Sequence, residues 1–184
     1  DKVVWSPTGA WYALLAGRSA QLFDAAQSGK PRPVFEHIQR HRVNDVVFIG
    51  DTTLILGGDD GVMQLVDAAT QSLIGSVDVR STLPGVRIKS LSCIRPPSAK
   101  WGEGGVKGQS LAMSTSSGDV HFWDLTYDDD DDSPLERLKQ KPARKASVPG
   151  GSARITCLAT CTRQKLAVDA QQEVKSVKKA ASVA

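Results

Sequence analysis

Apolar residues fall in short blocks at 3–5, 11–15, 20–23, 34–35, 46–49, 54–56, 62–66 and 73–77, each closed off by Gly, Asp, Ser or Pro. Up to about residue 125 no 3.6-residue period lasts long enough to make an amphipathic helix, whereas Val, Ile, Leu and aromatic residues crowd the blocks. The pattern predicts short antiparallel strands joined by tight turns, an all-β chain.

Three of the blocks end alike, with an aromatic or aliphatic residue followed by aspartate: Phe23-Asp24, Val66-Asp67 and Trp123-Asp124. Asp24 and Asp67 lie 43 residues apart, inside the span of about 40–45 residues of a WD40 blade. The next interval is 57, and its excess of 14 falls in the Gly-, Pro- and Lys-rich stretch 95–109, read as an insertion. Within each unit the order is strand a (VVWSP, VVFIG, SLSCI), strand b (WYALLAG, TLILGG, SLAMSTS), strand c (AQLFD, VMQLVD, VHFWD) and a polar outer strand d. Gly61 and Gly118 stand five residues before Val66 and Trp123 and mark a tight turn between b and c, a place that Arg18 takes in the first unit. The expected division is a partial β-propeller over 1–162, with blades at about 1–40, 41–80 and 81–152, a closing strand at 153–160, and a tail over 163–184.

Candidate chemistry adds little. A WD tetrad of Asp, His, Ser or Thr, and Trp is best approached by Trp123 with Asp124, and Asp60 holds the tetrad aspartate's place in the second unit. Val66 replaces the tryptophan there, Ser117 replaces the aspartate in the third unit, and no correctly spaced His precedes a strand a. Trp5, Phe23, Phe48 and Trp123 are therefore expected to be packing residues. His37 and His41 are four apart, a spacing that serves a metal only on a helix, and here they fall between strands. The GGDDG at 57–61 lacks the helix and Lys-Ser/Thr pair of a phosphate loop and reads as a hairpin turn. Cys93, Cys157 and Cys161 lack paired spacing and read as buried thiols. No catalytic constellation, metal site or cofactor site is expected.

Composition is that of a globular chain, 40% hydrophobic, and the net charge of +3 permits an acidic partner without demanding one. The longest apolar run, 10–16, is far below the roughly 20 residues of a membrane helix, so no membrane contact is expected. The opening Asp1 in place of Met suggests part of a longer protein. The five aspartates 128–132 are expected to stay solvated. After them Arg137, Lys139, Lys141, Arg144 and Lys145 form a basic patch suited to RNA phosphates or an acidic protein. Antiparallel order places the a-to-b and c-to-d connections of the third blade at one end, so Lys100, Trp101 and Lys107 should lie beside that patch, Trp101 as a partner anchor. Ser147, following Arg144-Lys145-Ala146, looks like a site for a basophilic kinase, a short motif that recurs by chance.

The segments VVWSPTG, GGDDGVMQLVD, STSSGDVHFWDL and SARITCLATC together resemble the C-terminal half of the p21-activated-kinase-interacting WD-repeat family, over residues 3 to about 160. The resemblance implies blades five to seven of a seven-bladed ring plus one strand, Ile155 to Leu158, of the first blade, with the N-terminal half of the same propeller as partner. It further implies a non-catalytic scaffold of the nucleolus or nucleus that binds pre-60S assembly factors, ribosomal proteins and pre-rRNA and supports rRNA maturation. Animal relatives suggest the alternative, an adaptor that restrains a p21-activated protein kinase. Lys165, Lys175, Lys178 and Lys179 match the family's basic C-terminal extension, expected to be helical or mobile.

Overall fold

Each apolar block becomes a strand, and the punctuation between blocks becomes a turn. A computed structural model describes residues 1–95, 109–126, 133–147, 155 and 157–159. Its first sheet holds β1 (Lys2–Trp5), β2 (Trp11–Ala16), β3 (Ser19–Asp24) and β4 (Phe35–Ile38). The second holds β5 (Val43–Phe48), β6 (Thr53–Gly58), β7 (Val62–Asp67) and β8 (Ser72–Asp78). The third holds β9 (Ile88–Ile94), β10 (Ser110–Thr115), β11 (Asp119–Asp124) and β12 (Arg144–Ser147). In all three the strands lie in sequence order and pair antiparallel, the arrangement of a propeller blade.

Hydrophobic patterning reports how many faces of each blade are covered. β6 reads TLILGG with every residue after Thr53 buried, because the middle blade is sandwiched: Leu54 and Leu56 face blade one while Ile55 faces blade three. β2 alternates instead, with Ala13 and Leu15 packed against blade two and Tyr12 and Leu14 on the opposite face. The two inter-blade cores run through Leu22, Val46 and Val66 on one side and Met63, Leu65, Leu111, Met113 and Trp123 on the other. Each such buried aliphatic side chain contributes about 1.5–3 kcal/mol.

The recurring aspartates have a local cause. Asp24, Asp67 and Asp124 end the third strand of their blades, and each accepts from the backbone N–H two residues on, at Ala26 (2.8 Å), Ala69 (3.0 Å) and Thr126 (2.9 Å). The residue between them, Ala25, Ala68 or Leu125, donates to the carbonyl just before the second strand. One Asx turn thus steers the chain outward in every blade. At the opposite end Gly61 (φ +70°) and Gly118 (φ +84°) occupy the expected left-handed turn position. The first blade differs from expectation: a shorter link, Gly17-Arg18, joins β2 to β3, and Gly17 (φ +60°), not the residue at the Arg18 place, carries the positive φ.

Among the described residues, an α-helix and a single 3-10 turn at Val79–Ser81 interrupt the all-β reading. Residues Pro134–Lys139 form α1, with Ser133 capping the N–H of Glu136 and Pro134 in the first turn. It packs against β8, where Gly75 leaves room for Leu135, and Leu138 enters the core between blades two and three. Trp123 Nε1 donates to Gln140 O (3.1 Å) just beyond the helix. The c-to-d connection of blade three therefore folds back over blade two.

Trp5 also departs from its expected role as a packing residue. It lies on the face of β1 turned away from blade two and is 56% exposed, because nothing among the described residues packs on that face. It leans on Tyr12, which stacks on Phe23, at centroid distances of 4.9 and 4.8 Å. Phe23, Phe48 and Trp123 are buried. Val3 and Ile38 share the open face with Trp5.

The first strands of the blades meet at a buried carboxylate. Asp45 of β5 accepts from Lys2 Nζ of β1 (2.5 Å), from Ser90 Oγ (2.6 Å) and Leu91 N (2.8 Å) of β9, and from its neighbour Val46 N (2.7 Å). A register shift between Val43 and Asp45 aims the side chain this way. Of the expected closing strand 153–160, residues Ile155 and 157–159 are described. None lies in a strand, since none has a ladder partner among the described residues; Leu158 N instead donates to Ser90 Oγ (3.2 Å). Cys157 is exposed there, contrary to the buried thiol expected. The tail from 163 lies outside the described residues.

Two outcomes follow. Asp45→Ala strands the N–H groups of Val46 and Leu91, so urea denaturation should show a loss of about 3 kcal/mol or more; a loss below about 1 kcal/mol would contradict the role given to this carboxylate. Gly61→Ala places a Cβ 2.8 Å from Val86 O at positive φ. Thermal melts should show it less stable by at least about 1–2 kcal/mol.

Candidate interaction surfaces

Of the residues singled out in the sequence, Lys100, Trp101, Lys107, Lys178 and Lys179 lie outside the described residues, as do aspartates 128–132 and Cys161. The insertion is anchored as antiparallel order requires: Ile94, Ser110 and Asp124 share one rung, so the a-to-b and c-to-d connections leave blade three at the same end.

The five cations expected in one loop are divided among a helix, the turn after it and a strand. Arg137 and Lys139 ride on α1, Lys141 is exposed just after it, and Arg144 and Lys145 lie on β12. Part of their charge is neutralised locally. Lys139 pairs with Glu136 one helical turn away (2.6 Å), and Lys145 pairs with Asp119 (3.0 Å). The first, exposed on both sides, is worth a few tenths of a kcal/mol. Lys141 and Arg144 make no ion pair among the described residues. Arg144 borders a groove of about 530 Å³ on the outward face of blade three, lined by Ile94, Phe122, Trp123 and Ala146. A second cleft, of about 690 Å³, is lined by the first strands of all three blades at 2–5, 46–48 and 91–93, with Arg95, Leu158 and Ala159 at its rim.

Asp119 is the acceptor on which the outer edge of blade three converges. Its Oδ1 takes the hydroxyl of Ser147 (2.6 Å), and its Oδ2 takes the hydroxyl of Ser117 (2.9 Å) and the ammonium of Lys145. These donors, Ser147 first, draw its pKa down to about 2. Asp124 is also held below the usual carboxylate value, by hydrogen bonds from Thr126 with Arg137 and Arg144 adding to the effect. His121, opposite Met113 and tilted against Trp123, is buried, and desolvation lowers its pKa. It therefore stays a neutral core residue at pH 7.

Asp60, assigned the tetrad position, accepts from Val62 N of its own turn (3.1 Å). Asp59 beside it reaches across instead, pairing with Lys89 (2.8 Å) and Asn44 (2.8 Å) and so joining blades two and three. Its pKa is lowered by these partners against the opposing cost of burial. His37 lies on β4, stacked at 6.2 Å on Phe35. Cys93 is half-buried; desolvation raises its pKa, and Gln109 Nε2 approaches its sulfur at 2.9 Å. No group of three or more His, Cys, Asp and Glu among the described residues is placed to hold a metal. Sequence reasoning missed Asp45 and Asp119. The signal available for Asp45 was a carboxylate directly before the apolar run of its strand, VNDVVF.

No protein-family model and no curated protein matches the sequence. Among solved structures, the chain is similar to one in the crystal structure of a mitotic checkpoint complex, with a TM-score of 0.59 and 18% identity over 86% of this chain and 43% of that one. It is also similar to the crystal structure of Chaetomium thermophilum Sqt1 bound to the N-terminus of ribosomal protein L10, with a TM-score of 0.55 and 19% identity over 79% of this chain and 33% of that one. The chain thus spans less than half the length of either. At this identity the likeness is one of fold, a WD40-type β-propeller of which this chain forms three blades.

The Asp119 site has a direct test. Its carboxylate is depressed, so the stabilisation it provides is complete above the ordinary value of 3.8 and is lost as pH falls toward 2. Carboxyl NMR should give a midpoint near 2, moving toward 3.8 in Ser147→Ala.

Proposed function

We propose that the chain is a non-catalytic WD40 scaffold in assembly of the large (60S) ribosomal subunit, binding assembly factors, ribosomal proteins and pre-rRNA on pre-60S particles in the nucleolus. One observation carries the reading: the chain shares its fold over most of its length with a propeller captured on a segment of a ribosomal protein. The resemblance of VVWSPTG and STSSGDVHFWDL to a family of ribosome assembly factors points the same way. A rigid arc of blades presents loops and strand edges at fixed separations, and such a surface holds several partners in register without chemistry of its own. The open face of blade one, with Val3, Trp5 and Ile38, takes a neighbouring blade supplied by the N-terminal half of the ring. Lys141 and Arg144 meet RNA phosphate.

Tagged protein from growing cells should sediment with pre-60S particles in sucrose gradients, and its depletion should impair maturation of large-subunit rRNA. The combined variant Lys141→Gln and Arg144→Gln should bind pre-rRNA more weakly and with a shallower salt dependence, the log–log slope falling by about 0.7–0.9 for each phosphate no longer neutralised. Protein that stays at the top of the gradient and co-purifies with a p21-activated kinase, with rRNA processing intact, would overturn this reading in favour of the adaptor.

A further inference from the structure

The motif Arg144-Lys145-Ala146-Ser147 acquires a structural setting that its sequence alone lacked. All four residues form β12, and all four are exposed. Among the described residues β12 is the outermost strand of its blade, paired on one side only, with β11. Its backbone is already extended, and its two cations stand three and two residues before the serine, the spacing at which an acidic pocket of a basophilic kinase reads its substrate. A four-residue exposed edge strand is also among the cheapest parts of a blade to lift away.

We propose that Ser147 is a phosphorylation site for a basophilic serine/threonine kinase, and that its phosphate unlatches β12 from β11. With MgATP as co-substrate, the Ser147 hydroxyl surrenders its proton, its oxygen bonds to the γ-phosphorus, and the bond from that phosphorus to the β,γ-bridging oxygen breaks. The products are the phosphoserine ester, ADP and a proton.

The latch is the Ser147 hydroxyl, which donates to Asp119 Oδ1 at 2.6 Å across the rung that pairs these two residues. Esterification removes the donated proton. It also brings about −1.5 to −2 charges against the carboxylate that had accepted it. Losing the Ser147 donor lets the Asp119 pKa rise from its depressed value, but the ordinary 3.8 toward which it moves is still far below pH 7, so the carboxylate keeps its charge beside the phosphate. Lys145, 3.0 Å from Oδ2, is drawn to the phosphate and leaves Asp119 with Ser117 alone. Attraction between strand and edge becomes repulsion at the last rung. β12 also forms one wall of the groove that holds Phe122 and Ala146, so its release changes the outward face of blade three.

The test incubates the full chain, folded, with the catalytic subunit of cAMP-dependent protein kinase and MgATP, maps phosphate by tandem mass spectrometry, and follows amide exchange. Phosphate is expected at Ser147, with none there in Ser147→Ala and a rate at least about tenfold lower in Arg144→Gln, and exchange over residues 143–147 should run about tenfold faster once phosphorylated. In Asp119→Asn the acceleration of exchange should shrink, because the repelling charge is gone. Phosphate that reaches Ser147 only after unfolding in urea would overturn the site. Unchanged exchange in the phosphorylated chain, or an undiminished acceleration in Asp119→Asn, would overturn the latch.

Discussion

A carboxylate out of water must be answered by donors, and Asp45 draws its donors from three different blades. Lys2 comes from the start of the chain, Ser90 and Leu91 from some 45 residues further along, and Leu158 reaches the same hydroxyl from the far end. A hydrophobic interface between two blades tolerates sliding, because apolar contact has no direction. Hydrogen bonds to one side chain do not, so Asp45 fixes the register of β1, β5 and β9 around a common line. Further inter-blade polar links, Asn44 to Ile88 O (2.7 Å), Lys89 to Asp59, and Gln109 to Ile49 O (2.5 Å), repeat its constraint between blades two and three.

How much of this was legible in the sequence follows from the range of the forces involved. Strand identity, blade order and the aspartate at the end of each third strand are local: alternation sets the strand, and Asp24, Asp67 and Asp124 each bond a backbone N–H two residues away. The turn glycines are local too, and blade one departs from the others because Gly17 closes a link one residue shorter than its counterparts. Helix α1 is local as well, though missing from the sequence reading; Ser133, Pro134 and Glu136 form a recognisable helix start in front of Leu135 and Leu138. The exposure of Trp5 was not legible, because it depends on what lies against the other side of its sheet, which the alternation within β1 does not encode. Nor was the role of Asp45, whose inter-blade partners Lys2, Ser90 and Leu91 are separated from it by more than 40 residues in both directions.

The basic surface was legible as composition and not as geometry. Arg137, Lys139, Lys141, Arg144 and Lys145 read as one basic stretch, yet a helix and an edge strand divide them, and Glu136 and Asp119 take up two of the charges. What remains outward, Lys141 after the helix and Arg144 at the edge of the groove that Ile94 and Phe122 line, is smaller than the stretch suggested. A scaffold of this kind works by rigidity: loops, groove and edge strand hold their spacing because the blades beneath them do not shift. Any control exerted on β12 is local for the same reason, since it releases one edge while the inner strands stay joined.

Native-state hydrogen exchange reads that rigidity blade by blade. The amides of Ala13, Leu56 and Met113, one in each blade, should open together with a single free energy, and Asp45→Asn should lower all three by the same amount. Protection at Ala13 or Met113 that falls independently, while Leu56 keeps its own, would mean that the blades are stacked neighbours and that no single carboxylate binds them into one body.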